Sequence, residues 1–309
     1  MLKQMRQPSL PTFPEFTALE PHHQSAINKF VSAHQPYSDY NFISLWSWDH
    51  QSKLRISSLN DNLVIRFQDY SDTSDFFYSF LGDNSVDETA LALLRHSQDE
   101  NQKELKLIPE AVVKALRRPE LFEINEDRDG FDYIIATKPT DESLHTPKKR
   151  EVHRFIKEYG ERLEVSELDI KNPAHTQDMW RVVEQWSAEA SDDKFNESEI
   201  AAIKKFLGQH HTIDTANLHI VGLYLGGELS AFAIAEIMTD GLAMGHYAKT
   251  NKKYRRVGAA MDHFLMESLA KKGVQHINLE QDLGLEGLRQ SKLSKQPVFF
   301  LKKYTIALK

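Results

Sequence analysis

The strongest constraint in the sequence is a set of three strand-like runs in a row, Leu218–Leu225, Leu229–Met238 and Leu242–Thr250. Gly226-Gly227 and Asp240-Gly241 join them, and both pairs suit the left-handed backbone of a tight hairpin. A three-strand meander needs apolar cover on at least one face. The next segment supplies it. Arg256 to Lys272 reads as an amphipathic helix with Met261, Phe264, Leu265, Leu269 and Ala270 inward, and Gly273 ends it. A strand at His276–Glu280, a short helix at Leu285–Leu293 and a last strand at Val298–Ile306 follow. Upstream lie a strand at Leu163–Leu168 and helices around Thr176–Ala190 and Ser198–Gln209.

The first half mixes the same ingredients. Ala26, Ile27, Phe30 and Val31 recur at helical spacing, and Tyr40, Ile43, Leu45, Trp46 and Trp48 mark a second short helix. Leu54–Leu59 and Leu63–Phe67 flank Asn60-Asp61-Asn62 as a hairpin. Asp87 to His96 and Glu110–Leu116 read as helices, the latter opened by Pro109, with a strand at Leu105–Ile108 between them. Leu121–Asn125 and Phe131–Ala136 around Asp127-Arg128-Asp129-Gly130 read as another hairpin. Thr137–Pro147 is polar with two prolines, as a linker would be, and Lys148-Lys149-Arg150 opens a helix to about Tyr159. At roughly 150 residues per domain, 309 residues suggest two domains, placed here at 1–145 and 146–309. The expected class is α/β (α+β), with a mixed, mostly antiparallel sheet flanked by helices in each half.

Composition removes several functions. The chain has no cysteine, so disulfides, thiolate metal sites and a cysteine nucleophile are excluded. No apolar run reaches the length of a membrane span and no leader is visible, so the expectation is a cytoplasmic protein without an integral membrane segment. Net charge is −7, unevenly spread: residues 1–145 carry 14 Lys+Arg against 23 Asp+Glu, and residues 146–309 carry 24 against 22. A dedicated nucleic-acid binder would carry a strong basic excess. The histidine pairs His22-His23 and His210-His211 lack metal-ligand spacing, so no metal is expected. No P-loop, Gly-x-Ser-x-Gly elbow or Gly-x-Gly-x-x-Gly occurs, which disfavours an NTPase, a serine hydrolase or a Rossmann dehydrogenase.

One motif carries chemistry. Arg255-Arg256-Val257-Gly258-Ala259-Ala260 stands between the third meander strand and the long helix. Gly258 lets backbone approach a ligand, and the N–H groups of a helix start favour an anion such as a pyrophosphate. Meander, motif, helix and strand together resemble the GNAT superfamily of acyltransferases over Leu218 to Ile306. The resemblance implies that this loop grips the pyrophosphate of acyl-CoA. A second resemblance spans nearly the whole chain. Asn278-Leu279-Glu280-Gln281-Asp282-Leu283-Gly284-Leu285-Glu286-Gly287-Leu288-Arg289, with Lys292-Leu293-Ser294, Pro297-Val298 and Lys302-Lys303-Tyr304, is similar to the C-terminal domain of phosphatidylglycerol lysyltransferases and their soluble relatives. Tyr40-Asn41-Phe42, Leu45-Trp46 and Lys148-Lys149-Arg150 fit it as well. This resemblance implies two fused GNAT-like domains and transfer of an aminoacyl or acyl group to an amine or hydroxyl. Only the second half has the Arg-x-x-Gly-x-Ala loop, so one active site is expected, on the second domain.

The candidate catalytic groups are Glu280, Glu236, Asp282 and Tyr304. Glu280 and Asp282, two apart at a strand end, would share a face, one taking a proton from an amine and the other holding its ammonium. Asp282 is equally placed to cap the helix near Leu285. Glu236, near the end of the second meander strand, is a candidate general base. His246 and Tyr247 on the next strand are weaker candidates. Tyr304 could protonate a leaving group. Arg255, Arg256, Val257, Gly258, Ala259 and Ala260 are the expected donor-binding residues. Arg289 and Lys292, on one helical face, and Lys149 are expected to bind substrate. No tightly bound cofactor is expected; acyl-CoA or aminoacyl-tRNA enters as the donor substrate. A tRNA donor would need a basic track, built from Lys148–Arg150, Lys252–Arg256 and Lys302–Lys303. Direct attack without a covalent intermediate is expected, since no serine stands out. The competing reading is a non-catalytic binding module on the same fold. The sequence leaves the acceptor and the oligomeric state open, a monomer being compatible with it.

Overall fold

The computed structural model describes residues 10–49, 51–68, 76–100, 102–138, 147–188 and 194–309. The chain forms two compact units, one of residues 1–133 with 280–309 and one of residues 134–279. The sequence reading puts a single boundary at 145/146; the compact units instead part at 133/134 and again at 279/280. Most of the expected linker, from residue 139 to 146, lies outside the described residues.

The first unit opens with β1 (Thr17–Ala18), α1 (Gln24–Val31) and α2 (Phe42–Trp48). Strands β2 (Arg55–Leu59), β3 (Asn62–Gln68) and β4 (Phe76–Leu81) complete an antiparallel sheet in the order β1-β2-β3-β4. The β2–β3 turn is the expected one, with Asn60 and Asp61 both at positive φ. Strand β4 has no counterpart in the sequence reading. Its run FFYSFL lacks period-two alternation because five of its six residues are buried. Helix α3 (Val86–Asp99), β5 (Glu104–Pro109), α4 (Glu110–Ala115) and β6 (Phe122–Glu126) follow.

The expected hairpin of Leu121–Asn125 with Phe131–Ala136 does not form. Strand β6 pairs instead with the last strand of the chain, and β7 (Asp132–Ala136) pairs through Ile134–Ala136 in the second unit. The intervening Arg128–Gly130 is a single 3-10 turn, closed by the Asp127 side chain accepting from the Gly130 N–H.

In the second unit, α5 (Pro147–Tyr159), β8 (Leu163–Leu168), α6 (Pro173–Ala188) and α7 (Lys194–Gln209) precede the meander. The meander is β9 (Leu218–Leu225), β10 (Glu228–Ile237) and β11 (Leu242–Thr250), followed by α8 (Val257–Lys271) and β12 (His276–Asn278). Strand order within this unit is β7-β12-β11-β10-β9-β8. All neighbours are antiparallel except β11 and β12, which run parallel across the α8 connection. Both predicted turns are present, with Gly226, Gly227, Asp240 and Gly241 at positive φ. One sheet face packs on α8 and α5. There β10 presents Ala231, Ala233 and Ala235, and α8 presents Val257, Ala260, Met261, Leu265 and Leu269. The small strand residues let the helix lie close to the sheet. On the other face Phe206 of α7 meets the Tyr247 ring at 5.7 Å.

The chain then returns to the first unit with α9 (Glu286–Leu293), β13 (Phe299–Leu301) and β14 (Lys303–Leu308). Strand β14 is the centre of a three-stranded sheet, β5-β14-β6, so the C-terminal segment is part of the first unit's interior. The expected mixed α/β class, with antiparallel-rich sheets flanked by helices, is the one observed. Among the described residues, no helix is long and apolar enough to cross a membrane.

Candidate functional site

In the second unit, β11 and β12 pair for only three positions, Leu242–Met244 with His276–Asn278. Strand β11 runs on to Thr250 without that partner. Gly245 stands where pairing stops. A Cβ there would meet Leu279 and Ile277 side chains at 3.1–3.2 Å, so the glycine keeps the parting strands close. The next residue is extra. Ile234 pairs with Tyr247 and Ala235 with Gly245, which makes His246 a β-bulge. Across the strand pair, His246 Nε2 lies 3.4 Å from Glu236 Oε2, and both residues are buried. A carboxylate beside an imidazole in a shielded place is a group that can take a proton.

The segment from β11 to α8 is held by its own side chains. Asn251 Oδ1 accepts from the Lys253 N–H at 2.9 Å, and Asn251 Nδ2 donates to Gln185 at 2.8 Å. The Tyr254 ring meets Tyr159 edge-on at 5.8 Å. Arg256 takes a left-handed backbone (φ 65°) as the residue before α8 and sets Nη1 3.3 Å from Glu158 Oε2. Arg255 is exposed. Val257 and Ala260 turn their side chains into the core, and their N–H groups already donate to the Tyr254 and Arg256 carbonyls at 3.4 and 3.1 Å. Gly258 is exposed, and a Cβ built on it would meet nothing within 4 Å. No packing constraint therefore requires glycine there. Of the first turn of α8, the Gly258 and Ala259 N–H groups, with the exposed Arg255 beside them, have the chemistry that suits an anion, while Arg256 is paired with Glu158. Lys149 does not join them. Its charge is felt by His263, whose pKa is lowered by burial and further by Lys149 and His153. His263 lies six residues into α8, about 9 Å along the axis from its start.

The other predicted residues meet in the first unit. Glu280 and Asp282 do not share a strand face as expected, because β12 ends at Asn278 and Glu280 has a φ of 60°. Glu280 Oε1 accepts from Ser44 Oγ at 2.9 Å, on helix α2. Asp282 is fully buried and does not cap α9, whose N-cap, Leu285, receives no side-chain bond. It accepts instead from Tyr133 Oη at 2.5 Å, Gly284 N–H at 2.9 Å, and Arg289 through Nε and Nη2, each at 2.9 Å. Arg128 Nη1 lies 3.3 Å away. Burial opposes ionisation of Asp282, but these donors outweigh it and bring its pKa down to about 2. Such a carboxylate is a poor proton acceptor and a good anchor for two arginines. Arg289 also binds Asp129. Lys292 is buried against the Gln281 carbonyl, and burial lowers its pKa to about 8.

The centre of this network is a residue expected on the surface. Lys303 is fully buried and cannot belong to an exposed basic track. Its Nζ donates to Asp132 Oδ1 at 2.7 Å and Gln281 Oε1 at 2.8 Å, and it pairs with Asp39. Burial pushes against its charge, yet Asp132 and Asp39 hold it protonated, while burial raises the Asp39 carboxyl. Asp132 also accepts from the Ser38 N–H and hydroxyl at 2.8 and 2.7 Å. Tyr304, next along β14, points to the opposite strand face, between the charges of Glu110 and Glu126. Lys302 is paired with Glu126 at 2.6 Å. Sequence reasoning missed Asp39, Asp132 and Arg128 and placed Lys303 on the surface. The available signal was a charge inside the apolar run FDYIIA and the alternation that must send one of Lys302 and Lys303 inward.

The model of the family "Phosphatidylglycerol lysyltransferase, C-terminal" matches residues 31–307. The chain belongs to this family. A conserved protein of unknown function from Bacteroides thetaiotaomicron is 22% identical, with a TM-score of 0.79 over 97% of this chain and 100% of that one. The C-terminal domain of a putative lysylphosphatidylglycerol synthetase from Agrobacterium fabrum has a TM-score of 0.61 at 10% identity, over 93% and 92%. L-PGS from Bacillus licheniformis has 0.58 at 14%, over 97% and 94%. These likenesses show the shared fold. Among curated proteins, none matches the sequence.

Two outcomes follow from the buried charges. Lys303→Met leaves Asp39 and Asp132 without their cation and lowers unfolding stability by about 3–5 kcal/mol in urea titrations; a loss under about 1 kcal/mol contradicts the network. Asp282 has a folded pKa of about 2 against an ordinary 3.8, so its contribution is present above pH 4 and is lost as pH falls through 2. Asp282→Asn flattens that acid limb in thermal melts, and an unchanged pH profile contradicts the assignment.

Proposed function

We propose that this protein transfers an acyl or aminoacyl group from a phosphate-bearing donor, acyl-CoA or aminoacyl-tRNA, to an amine or hydroxyl. The observation that carries the reading is the start of α8. Gly258 there faces open space, and Arg255 and Arg256 flank the Gly258 and Ala259 N–H groups, which suit an anion. The donor's phosphate accepts from the Gly258 and Ala259 N–H groups, and the acyl chain runs along the edge of β11 that β12 leaves unpaired. The bulged His246 with Glu236 takes the proton from the attacking amine or hydroxyl. Attack is direct: the acceptor's nitrogen or oxygen bonds to the acyl carbon as the thiol or ribose oxygen leaves. Asp282 positions Arg128 and Arg289, and Tyr304 has no part in this step. Lys252, Lys253, Arg255 and Arg256 give the loop a local positive charge that suits either donor.

Calorimetric titration with coenzyme A and acetyl-CoA, beside filter binding of aminoacyl-tRNA at two salt concentrations, tests the reading. One donor binds, and Gly258→Glu weakens it by at least about tenfold, since a carboxylate then occupies the phosphate position. Binding of coenzyme A selects acyl-CoA; salt-sensitive tRNA binding selects aminoacyl transfer. Binding untouched by Gly258→Glu contradicts the donor assignment.

A further inference from the structure

We propose that Ser268, His219 and Glu167 form a separate nucleophilic site, at which Ser268 is acylated by small carboxylic esters. The three residues come from α8, β9 and β8, and nothing in the transfer reading uses them. Ser268 Oγ lies 2.8 Å from His219 Nε2, and His219 Nδ1 lies 3.3 Å from Glu167 Oε1. With the proton on Nδ1 and directed at Glu167, Nε2 is the acceptor of the serine hydroxyl hydrogen. That is the tautomer a base needs, and a nucleophile, base and orienting carboxylate in series are the parts of a serine acyl-transfer site. His219 is buried, and burial lowers its pKa, so the imidazole is neutral and ready to accept at neutral pH. Lys272 Nζ, 3.1 Å from Glu167 Oε1, holds the carboxylate in place.

These residues open on a space. A cavity of about 380 Å³ is lined by Val165, Ser166, Phe264 and Lys271 together with Glu167 and Ser268. The volume falls in the range of small-molecule sites. Val165 and Phe264 offer apolar walls for a chain of a few carbons, and the lining cation Lys271 is ion-paired with Glu267, which lines the same space, at 2.7 Å. Ser268 is half-buried, so its hydroxyl is reachable from this space. The order Glu, His, Ser, separated by 52 and 49 residues, leaves no local motif in the sequence. This is why no serine stands out there.

The step balances without an oxidant or metal. Ser268 Oγ bonds to the ester carbonyl carbon while its proton passes to His219 Nε2. The carbon–oxygen bond to the alcohol then breaks, and the alcohol leaves with that proton. Water, activated by the same imidazole, later cleaves the acyl-serine to the acid. The Ser268 N–H is spent inside α8 and Lys271 is paired with Glu267, so the oxyanion is weakly held and deacylation is slow. The acyl-serine should therefore accumulate.

The test is incubation of the whole chain with p-nitrophenyl butyrate, read by p-nitrophenolate release and by peptide mass mapping. The expected result is a butyryl group on Ser268 and a burst of about one equivalent. Ser268→Ala, which keeps a good helix former, removes both, and Glu167→Gln and His219→Gln slow acylation by about a hundredfold. Native chain without a butyryl group on Ser268 overturns the proposal. So does an equal acylation rate at Ser268 in Glu167→Gln or His219→Gln chains that keep the native circular dichroism.

Discussion

The first unit is organised by one buried cation. Lys303 is fully buried, and its ammonium meets Asp132, Asp39 and Gln281. A charge so placed is tolerated only where its partners are supplied from fixed positions. Here they arrive from three stretches far apart in sequence: the 3-10 turn at Ser38–Tyr40, the start of β7, and the loop after Leu279. The last strand cannot take its central place between β5 and β6 without carrying Lys303 into this cage. Asp282, Arg289 and Arg128 extend the same logic to α9. Their carboxylate is saturated with donors and its arginines are aimed, which gives the loop from Glu280 to Leu285 one conformation despite positive φ at Glu280, Leu283 and Gly284.

The second unit depends on a different constraint, the end of pairing between β11 and β12. Three paired positions hold the sheet together; beyond them β11 keeps its strand form, with a bulge at His246, while the chain returns as α8. Because alanines line the sheet under α8, the helix lies close and its first turn stands near the strand end from which it grew. A helix start with open backbone at Gly258, and a shielded carboxylate–imidazole pair on the neighbouring strands, are two chemical assets of this unit. The functional reading rests on them.

The sequence showed the second unit well because its elements are local and strongly punctuated. Gly226-Gly227 and Asp240-Gly241 fix two hairpins, and the period of α8 is unbroken from Val257 to Leu269. The first unit was less legible for a topological reason. Strand β6 finds its partner in β14, far along the chain, and no local pattern announces a pairing such as Ile306 with Ile124. The adjacent runs around Asp127–Gly130 therefore look like a hairpin when they are not. Strand β4 hid because burial removes alternation. The placement of the predicted site residues depended on backbone detail. A left-handed Glu280 separates it from Asp282, and alternation along β14 buries Lys303 and turns Tyr304 away.

The most direct measurement of the central claim, a donor held at the start of α8, is hydrogen–deuterium exchange of the chain alone and with saturating coenzyme A or aminoacyl-tRNA. Of the first-turn amides, those of Val257 and Ala260 are bonded to the Tyr254 and Arg256 carbonyls, whereas those of Gly258 and Ala259 exchange quickly unless a ligand accepts from them. The account predicts slowed exchange in peptides covering Arg255–Ala260 with one of the two donors. A donor that binds while those amides exchange as before would contradict it.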